Sequence, residues 1–207
     1  MAQILRIHSE NPQARLIAQA VEHLQKGNVI VYPTDTYYAL ACRIGDKSAM
    51  AKIEQIRQLK ANDVTFTIIC NDLSVVAQFA RVDNQQFRLL KNALPGAYTF
   101  ILEASKEVPK RLMEKRKTIG LRVPDHAIVQ ALIAALGEPL LSTTLKLPDY
   151  EAYELNSGDD INDVIGKQVD LIIDGGGCAL LPSSVIDLTQ TPPVVLREGA
   201  GSWDFLK

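Results

Sequence analysis

Between two apolar runs, Val29-Ile30-Val31-Tyr32 and Tyr37-Tyr38-Ala39-Leu40-Ala41-Cys42, the chain carries Pro33 and then three small polar residues, Thr34, Asp35 and Thr36. The first run is short and β-branched, the pattern of a buried strand. Proline has no N–H to give to a ladder, so Pro33 ends it. Polar side chains pinned between buried segments must be hydrogen-bonded or held by a ligand, because burying them unpaired is costly. Two readings are open. The segment is a tight turn satisfied by its own Asx-type bonds, or it is a binding site at the end of a strand, where α/β proteins place ligands.

A chain of 207 residues is long enough for one large domain or two small ones, and no linker or internal repeat divides this one, so a single domain over 1–207 is expected. Its formal net charge of −2 excludes polyanion binding by bulk charge; a nucleic-acid role would need a local patch. Cys42, Cys70 and Cys178 are odd in number and sit in or beside apolar runs. That pattern predicts buried, reduced thiols and no disulfide frame. His8, His23 and His126 are scattered, and no Cys/His pair has metal-ligand spacing, so no structural metal is expected. The N-terminal stretch has no apolar h-region and no run reaches transmembrane length, which predicts a cytoplasmic protein without a membrane partner.

The periodicities predict a strand over 4–8, then a helix opened by Asn11-Pro12 and ended at Gly27. After the Thr-Asp-Thr segment a helix over 47–59 carries Met50, Ile53, Ile56 and Leu59 on one face, and a polar loop spans 60–63. Strands follow over 65–70, 98–103, 120–123, 140–145, 169–174, 183–187 and 194–197. Helices start at Asp72-Leu73-Ser74 and cover 84–92 and 126–136, while 148–163 reads as a polar surface excursion. Strands and helices alternate irregularly, and several strands are close enough for hairpins. The fold class is therefore α/β (α+β), a twisted mixed sheet with packed helices and not a regular βαβ series.

No nucleophile elbow, Walker loop, GxGxxG or HExxH occurs. Gly175-Gly176-Gly177 could cradle a phosphate, but no helix is predicted after it, so a flexible turn is the simpler reading. Residues 106–117 carry six basic side chains against Glu107 and Glu114, a local charge of +4, usually a solvated face. The segment lacks the interleaved aromatics that stack bases. Arg57, Arg122 and Arg197 each lie in or next to an apolar run. A lone arginine there is usually a paired edge residue, yet three of them near polar strand ends would suit a phosphate-bearing ligand, since guanidinium binds phosphate oxygens bidentately.

Six segments together resemble the YrdC/YciO family. Tyr32-Pro33-Thr34-Asp35-Thr36-Tyr37-Tyr38-Ala39-Leu40 is similar to its "PT(E/D)T-x-Y-x-L" opening, and Leu94-Pro95-Gly96-Ala97-Tyr98-Thr99 to its "PG-x-x-T" segment. Gly120-Leu121-Arg122-Val123-Pro124 resembles "G-x-R-x-P", and Pro139 to Thr144 the start of "P-L-x-S-T-S-A-N". Pro182-Ser183-Ser184-Val185-Ile186-Asp187 resembles "P-S-T-V-x-D", and Leu196-Arg197-Glu198-Gly199 resembles "x-R-x-G". The resemblance is strongest to the YciO branch, without the extra C-terminal domain of longer members. It implies a twisted mixed sheet around a concave basic cavity. It also implies threonylcarbamoyl-AMP synthase chemistry: threonine, bicarbonate and ATP give threonylcarbamoyl-AMP and pyrophosphate, with Mg²⁺ accompanying the nucleotide and the product used in tRNA modification. Such chemistry rests on positioning and charge stabilisation and needs no side-chain nucleophile.

Carried over residue by residue, the resemblance puts Thr34, Arg122, Ser183 and Ser184 on the threonine side. It puts Arg57, Ser142, Thr143, Thr144 and Arg197 on the nucleotide, with Lys60 as a replacement cation. The sequence departs from the family in three places. Leu59 stands at the second basic position of "K-x-R", Thr144-Leu145-Lys146 replaces "S-A-N", and Pro148-Asp149 replaces "S-G". A lost arginine–phosphate contact is worth about 1.5–3 kcal/mol. The alternative class is a tRNA- or double-stranded-RNA-binding module without catalysis, using Lys110, Arg111, Lys115, Arg116 and Lys117.

Overall fold

The computed structural model describes residues 1–58, 65–112 and 117–206. Among these, eleven strands form one sheet: β1 (Gln3–Arg6), β2 (Ile30–Tyr32), β3 (Ala39–Arg43), β4 (Thr67–Ile69), β5 (Ala80–Arg81), β6 (Tyr98–Ala104), β7 (Thr118–Arg122), β8 (Leu140–Thr144), β9 (Leu171–Asp174), β10 (Ser184–Asp187) and β11 (Val194–Arg197). Six α-helices pack on it: α1 (Ala14–Gln25), α2 (Lys47–Ile56), α3 (Leu73–Phe79), α4 (Asn84–Ala93), α5 (Ala127–Leu136) and α6 (Gly158–Ile165). The strand order is β1-β9-β2-β3-β8-β4-β7-β6-β10-β11, with β5 paired to β6. Parallel pairs (β1/β9, β2/β9, β4/β7, β6/β10) are interleaved with antiparallel ones (β2/β3, β3/β8, β4/β8, β6/β7, β10/β11), so the sheet is mixed, as its irregular alternation of elements predicts.

Because successive strand residues point to opposite faces, the sheet has two cores. Val31, Leu40, Ile68, Phe100, Leu121 and Ile172 face α2, α3, α4 and α6. On the other side Ile30, Tyr32, Ala39, Ala41, Leu171 and Ile173 meet Ile17, Val21 and Leu24 of α1 and Ile128, Val129 and Leu132 of α5. Helices α1 and α5 pack against each other over one end of that second face, where α1 lies on β2, β3 and β9.

Several local expectations change. The first helix starts at Ala14, not at Asn11-Pro12. His8 Nδ1 accepts the backbone N–H groups of Glu10 and Asn11 at 3.2 and 3.1 Å, which makes residues 8–11 a turn of their own. The polar stretch 148–163 is not merely an excursion: it contains a 3₁₀ turn (Ala152–Leu155) and α6, and it buries Leu155, Ile161 and Ile165. Ser157 caps α6 by accepting from Asp160 N–H at 3.2 Å, and Asp159 and Asp160 suit the positive end of the helix. Its apolar stripe is simply thin. Gly175 is more than a flexible turn, since an added Cβ would come 2.6 Å from Ile128 and 2.9 Å from Pro33. Cys42 and Cys70 are buried and all three thiols are free, but Cys178 is only partly buried. Leu59, Lys60, Lys115 and Arg116 lie outside the described residues.

Candidate functional site

Beyond α1 and α5 the second face turns more polar. The inward positions of β4, β6, β7 and β8 hold Thr67, Thr99, Gly120, Arg122, Ser142 and Thr144, with Ile69 and Ile101 among them. The register sets Thr67 opposite both Ser142 and Gly120, and Ile69 opposite Arg122, so these side chains form a continuous floor. Above it lies a cavity of two adjoining lobes, a sheet lobe of about 190 Å³ and an outer lobe of about 440 Å³. The outer lobe alone falls within the range of small-molecule sites, about 300–1,000 Å³. Thr36, Tyr37, Arg122, Thr143, Ser183 and Arg197 line both lobes.

The segment after Pro33 forms a tight turn and also walls the cavity. Thr34 Oγ1 accepts from Thr36 N–H at 3.1 Å and donates to the Tyr37 carbonyl at 2.7 Å, which closes a turn. Thr34 and Thr36 are nonetheless part of the sheet-lobe wall. Ser142 is held from below. Its hydroxyl accepts from Tyr32 Oη at 2.9 Å and donates to the Leu40 carbonyl at 3.0 Å. Burial pushes the Tyr32 phenol up to about 12.

Three arginines from distant parts of the chain converge on this cavity, and each is tethered along one edge. Arg57, just past the end of α2, donates from Nη1 to Thr143 Oγ1 at 2.9 Å and to the Thr144 carbonyl at 2.7 Å. Arg197 on β11 donates from Nε to the Ser183 carbonyl at 2.9 Å and from Nη2 to Ser183 Oγ at 3.0 Å. Arg122 donates from Nη2 to Thr36 Oγ1 at 2.8 Å and forms a short ion pair with Asp35. Burial lowers the pKa of Arg57, and burial together with the charge of Arg122 lowers that of Arg197. Two tethered cations that pair with no carboxylate among the described residues would gain from an anion arriving between them. Lys146, at the family's asparagine position, also lines the outer lobe, with Glu151 as an acidic neighbour.

Of the residues singled out from the sequence, Thr34, Arg122, Ser142, Thr143, Thr144, Ser183 and Arg197 line the sheet lobe, and Arg57 lines the outer one. Ser184 is not in the lining. It is fully buried on the other side of its strand, donating to the Gly201 carbonyl and accepting from Gly199 N–H at 3.0 Å, and so holds the tail. Lys110 and Arg111 form a turn whose neighbours Val108 and Leu112 belong to the opposite core. There Arg111 pairs with Glu54 of α2 at 3.2 Å, while Lys110 and Lys117 are exposed. Lys110 and Arg111 are therefore separate from the cavity. Tyr37, Thr67, Thr99, Gly120 and Tyr150 line the cavity without having been singled out from the sequence, and Asp35, singled out only within the polar triplet, pairs with Arg122. Asp35 had a signal, an acid between two threonines at a strand end, with a lone arginine elsewhere in an apolar strand. The small strand residues had none, since Thr and Gly in a strand have no fixed meaning.

Among the described residues no three His, Cys, Asp or Glu side chains are grouped to hold a metal ion. No helix there is long and apolar enough to cross a membrane.

The family model for Sua5, YciO and YrdC proteins, described as telomere recombination, matches residues 22–199. The uncharacterised YciO protein of Escherichia coli strain K12 is 57% identical over 202 residues, 97% of each chain. The human threonylcarbamoyl-AMP synthase is 32% identical over 177 residues, 82% of this chain and 62% of that one. Among solved structures, E. coli YciO superposes with a TM-score of 0.93 at 55% identity over the whole of both chains. P. abyssi Sua5 complexed with L-threonine superposes with a TM-score of 0.85 at 26% identity, covering 95% of this chain and 57% of that one.

Proposed function

We propose, from the premise that the chain belongs to the Sua5/YciO/YrdC family, that its cavity binds ATP and a small amino acid, and that it makes a threonylcarbamoyl-AMP-type adenylate. The observation that carries this reading is the convergence of Arg57, Arg122 and Arg197 on one two-lobed cavity in a chain of net charge −2. L-Threonine would sit in the hydroxyl-lined sheet lobe, between Thr34 and Ser183, with its carboxylate toward Arg122. The nucleotide would fill the outer lobe, its phosphates toward Arg57 and Arg197. Lys146, which lines the outer lobe, would supply charge that the family draws from the basic position occupied here by Leu59.

In that arrangement bicarbonate and the threonine amine form a carbamate. A carbamate oxygen attacks the α-phosphorus in line, a new P–O bond forms, and the bond to the β,γ-phosphates breaks to release pyrophosphate. This chain's contribution is to hold the two reactants and to offset charge on the phosphate oxygens with preorganised guanidinium groups. Mg²⁺ binds nucleotide phosphates with few protein carboxylates. Among the described residues Glu151 is the carboxylate that lines the outer lobe, and no step here is routed through the ion. The three free thiols suit a reducing compartment such as the cytoplasm.

The test is pyrophosphate release from ATP, omitting threonine and bicarbonate in turn. Release that needs both supports the reading, and release indifferent to both removes it. Exposed Lys106, Lys110 and Lys117 favour a second reading, contact with tRNA or double-stranded RNA on the opposite side of the sheet. A steep slope of log affinity against log salt would mark it, and substitution of those lysines would abolish it without touching the cavity.

A further inference from the structure

Arg122 differs from the other two cavity arginines in what tethers it. Arg57 and Arg197 lean on hydroxyl and carbonyl oxygens, whereas Arg122 leans on a carboxylate. The Asp35 side chain joins three pieces of the fold. It follows the strand-ending Pro33, one oxygen takes Arg122 Nη2, and the other accepts the backbone N–H of Asp125 at 3.2 Å, just before α5. Both partners are largely buried, with side-chain exposures of 10% for Arg122 and 12% for Asp35. Arg122 Nε is buried and has no hydrogen-bond partner among the described residues. With Nη2 occupied and Nε enclosed, Nη1 is the nitrogen of Arg122 left to meet a ligand in the cavity it lines.

We propose that Asp35 is a positioning residue: it fixes the plane of the Arg122 guanidinium so that Nη1 donates to an anionic oxygen of the bound ligand. The inference rests on the reading of this cavity as an anion site. The ligand oxygen belongs to a carboxylate or a phosphate, and the two sources are separated by probe. A fixed guanidinium loses little rotamer freedom on binding, which is the advantage of a preorganised fork over a mobile one. A carboxylate beside the arginine also offsets its charge, so a purely electrostatic role has the opposite sign: deleting Asp35 would then tighten anion binding.

The experiment measures binding of L-threonine, ATP and inorganic pyrophosphate by calorimetry to the full chain and to Asp35→Asn, Arg122→Met and the double variant, with a melting curve for each. Asp35→Asn keeps the shape and an acceptor oxygen, so it guards against mere unfolding. The expected result is about tenfold weaker binding of one anion class by Asp35→Asn. Adding the substitution to Arg122→Met should weaken binding no further, because Asp35 acts through Arg122. Weakening confined to threonine assigns the carboxylate, and weakening of ATP and pyrophosphate assigns the phosphates. Tighter or unchanged binding by Asp35→Asn overturns the proposal, as does additivity in the double variant. If the parent chain binds pyrophosphate but neither threonine nor ATP, the adenylate reading fails while the pyrophosphate arm still decides the role of Asp35. If it binds none of the three, the anion site and this proposal fall together.

Discussion

One face of the sheet is built in two ways. At the β1-β9-β2-β3 end, under α1 and α5, the inward positions are Leu5, Ile30, Tyr32, Ala39, Ala41, Leu171 and Ile173. A few strands further along, the inward positions are mainly polar or small, Thr67, Thr99, Gly120, Arg122 and Ser142 beside Ile69 and Ile101, and with Tyr32 and Ala39 at the border they line a cavity. The backbone is continuous and the alternation of faces is the same, so the side chains alone decide what each half does. Aliphatic positions recruit a helix because burying a Leu or Ile is worth about 1.5–3 kcal/mol each. Hydroxyls and a glycine give a helix little to bury, and the space above them stays open to a ligand.

The largest effect tests the covered half. Leu132 of α5 is fully buried among α1 and strand residues. Leu132→Ala should cost about 2–5 kcal/mol of stability, read from denaturant unfolding. Ligand affinity of the folded fraction should stay within about twofold, because the damage lies behind the cavity. A large loss of affinity with little loss of stability would mean that the two halves are one unit.

The open half gives a converse test. A Cβ on Gly120 would lie 3.3 Å from Thr67 Oγ1 and 3.5 Å from Thr99 Cγ2, between two floor residues. Gly120→Val should thus fill the sheet lobe, weakening threonine binding at least about tenfold while moving stability by about 1 kcal/mol or less. A variant that melts far below the parent would show that the floor is packed as tightly as the core.

Next come the tethers. Arg57→Ala and Arg197→Ala should each weaken ATP binding about tenfold, the loss of one charge-assisted contact. Among the described residues neither arginine pairs with a carboxylate, so removal leaves no buried acid behind there and melting should change little. Unchanged ATP affinity in both would remove the nucleotide from the outer lobe.

The same contrast explains what could be read from the sequence. The covered half was legible because Val, Ile and Leu at strand or helix spacing admit few interpretations, and β2, α1 and α5 lie close to where periodicity puts them. Pro33 marked the strand end, and Thr34 and Thr36 after it line the cavity. The floor was not legible, since Thr67, Thr99 and Gly120 acquire meaning only when β4, β6 and β7 are laid side by side. Helix α6 was missed because its stripe rests on Ile161 and Ile165 alone amid acids. The Asp35–Arg122 pair spans 87 positions of sequence, a separation over which no local pattern speaks. Arg57, Arg122 and Arg197 were each visible as odd cations in apolar company, but their roles came from resemblance, not from spacing.

The smallest effect lies at the seam between the halves. His126 precedes α5 and stands near Asp35, Asp125 and Arg122. Its Nδ1 is buried with no hydrogen-bond partner among the described residues. Burial is the leading influence and pushes the imidazole below its ordinary range. The charge of Arg122 acts in the same direction, while Asp35 and Asp125 oppose it. The folded protein therefore prefers the neutral ring, and the unfolded chain takes up the proton first, near the ordinary histidine pKa of about 6.5. Stability from this group is complete above that value and is lost as pH falls through it toward the lower folded pKa. His126→Gln keeps a polar side chain of similar reach and cannot charge. Between pH 7 and pH 5 the parent should lose more melting temperature than His126→Gln, with the difference closing above pH 7. Parallel curves would show that the ring is solvated in solution, and that the seam between core and cavity is looser than its burial implies.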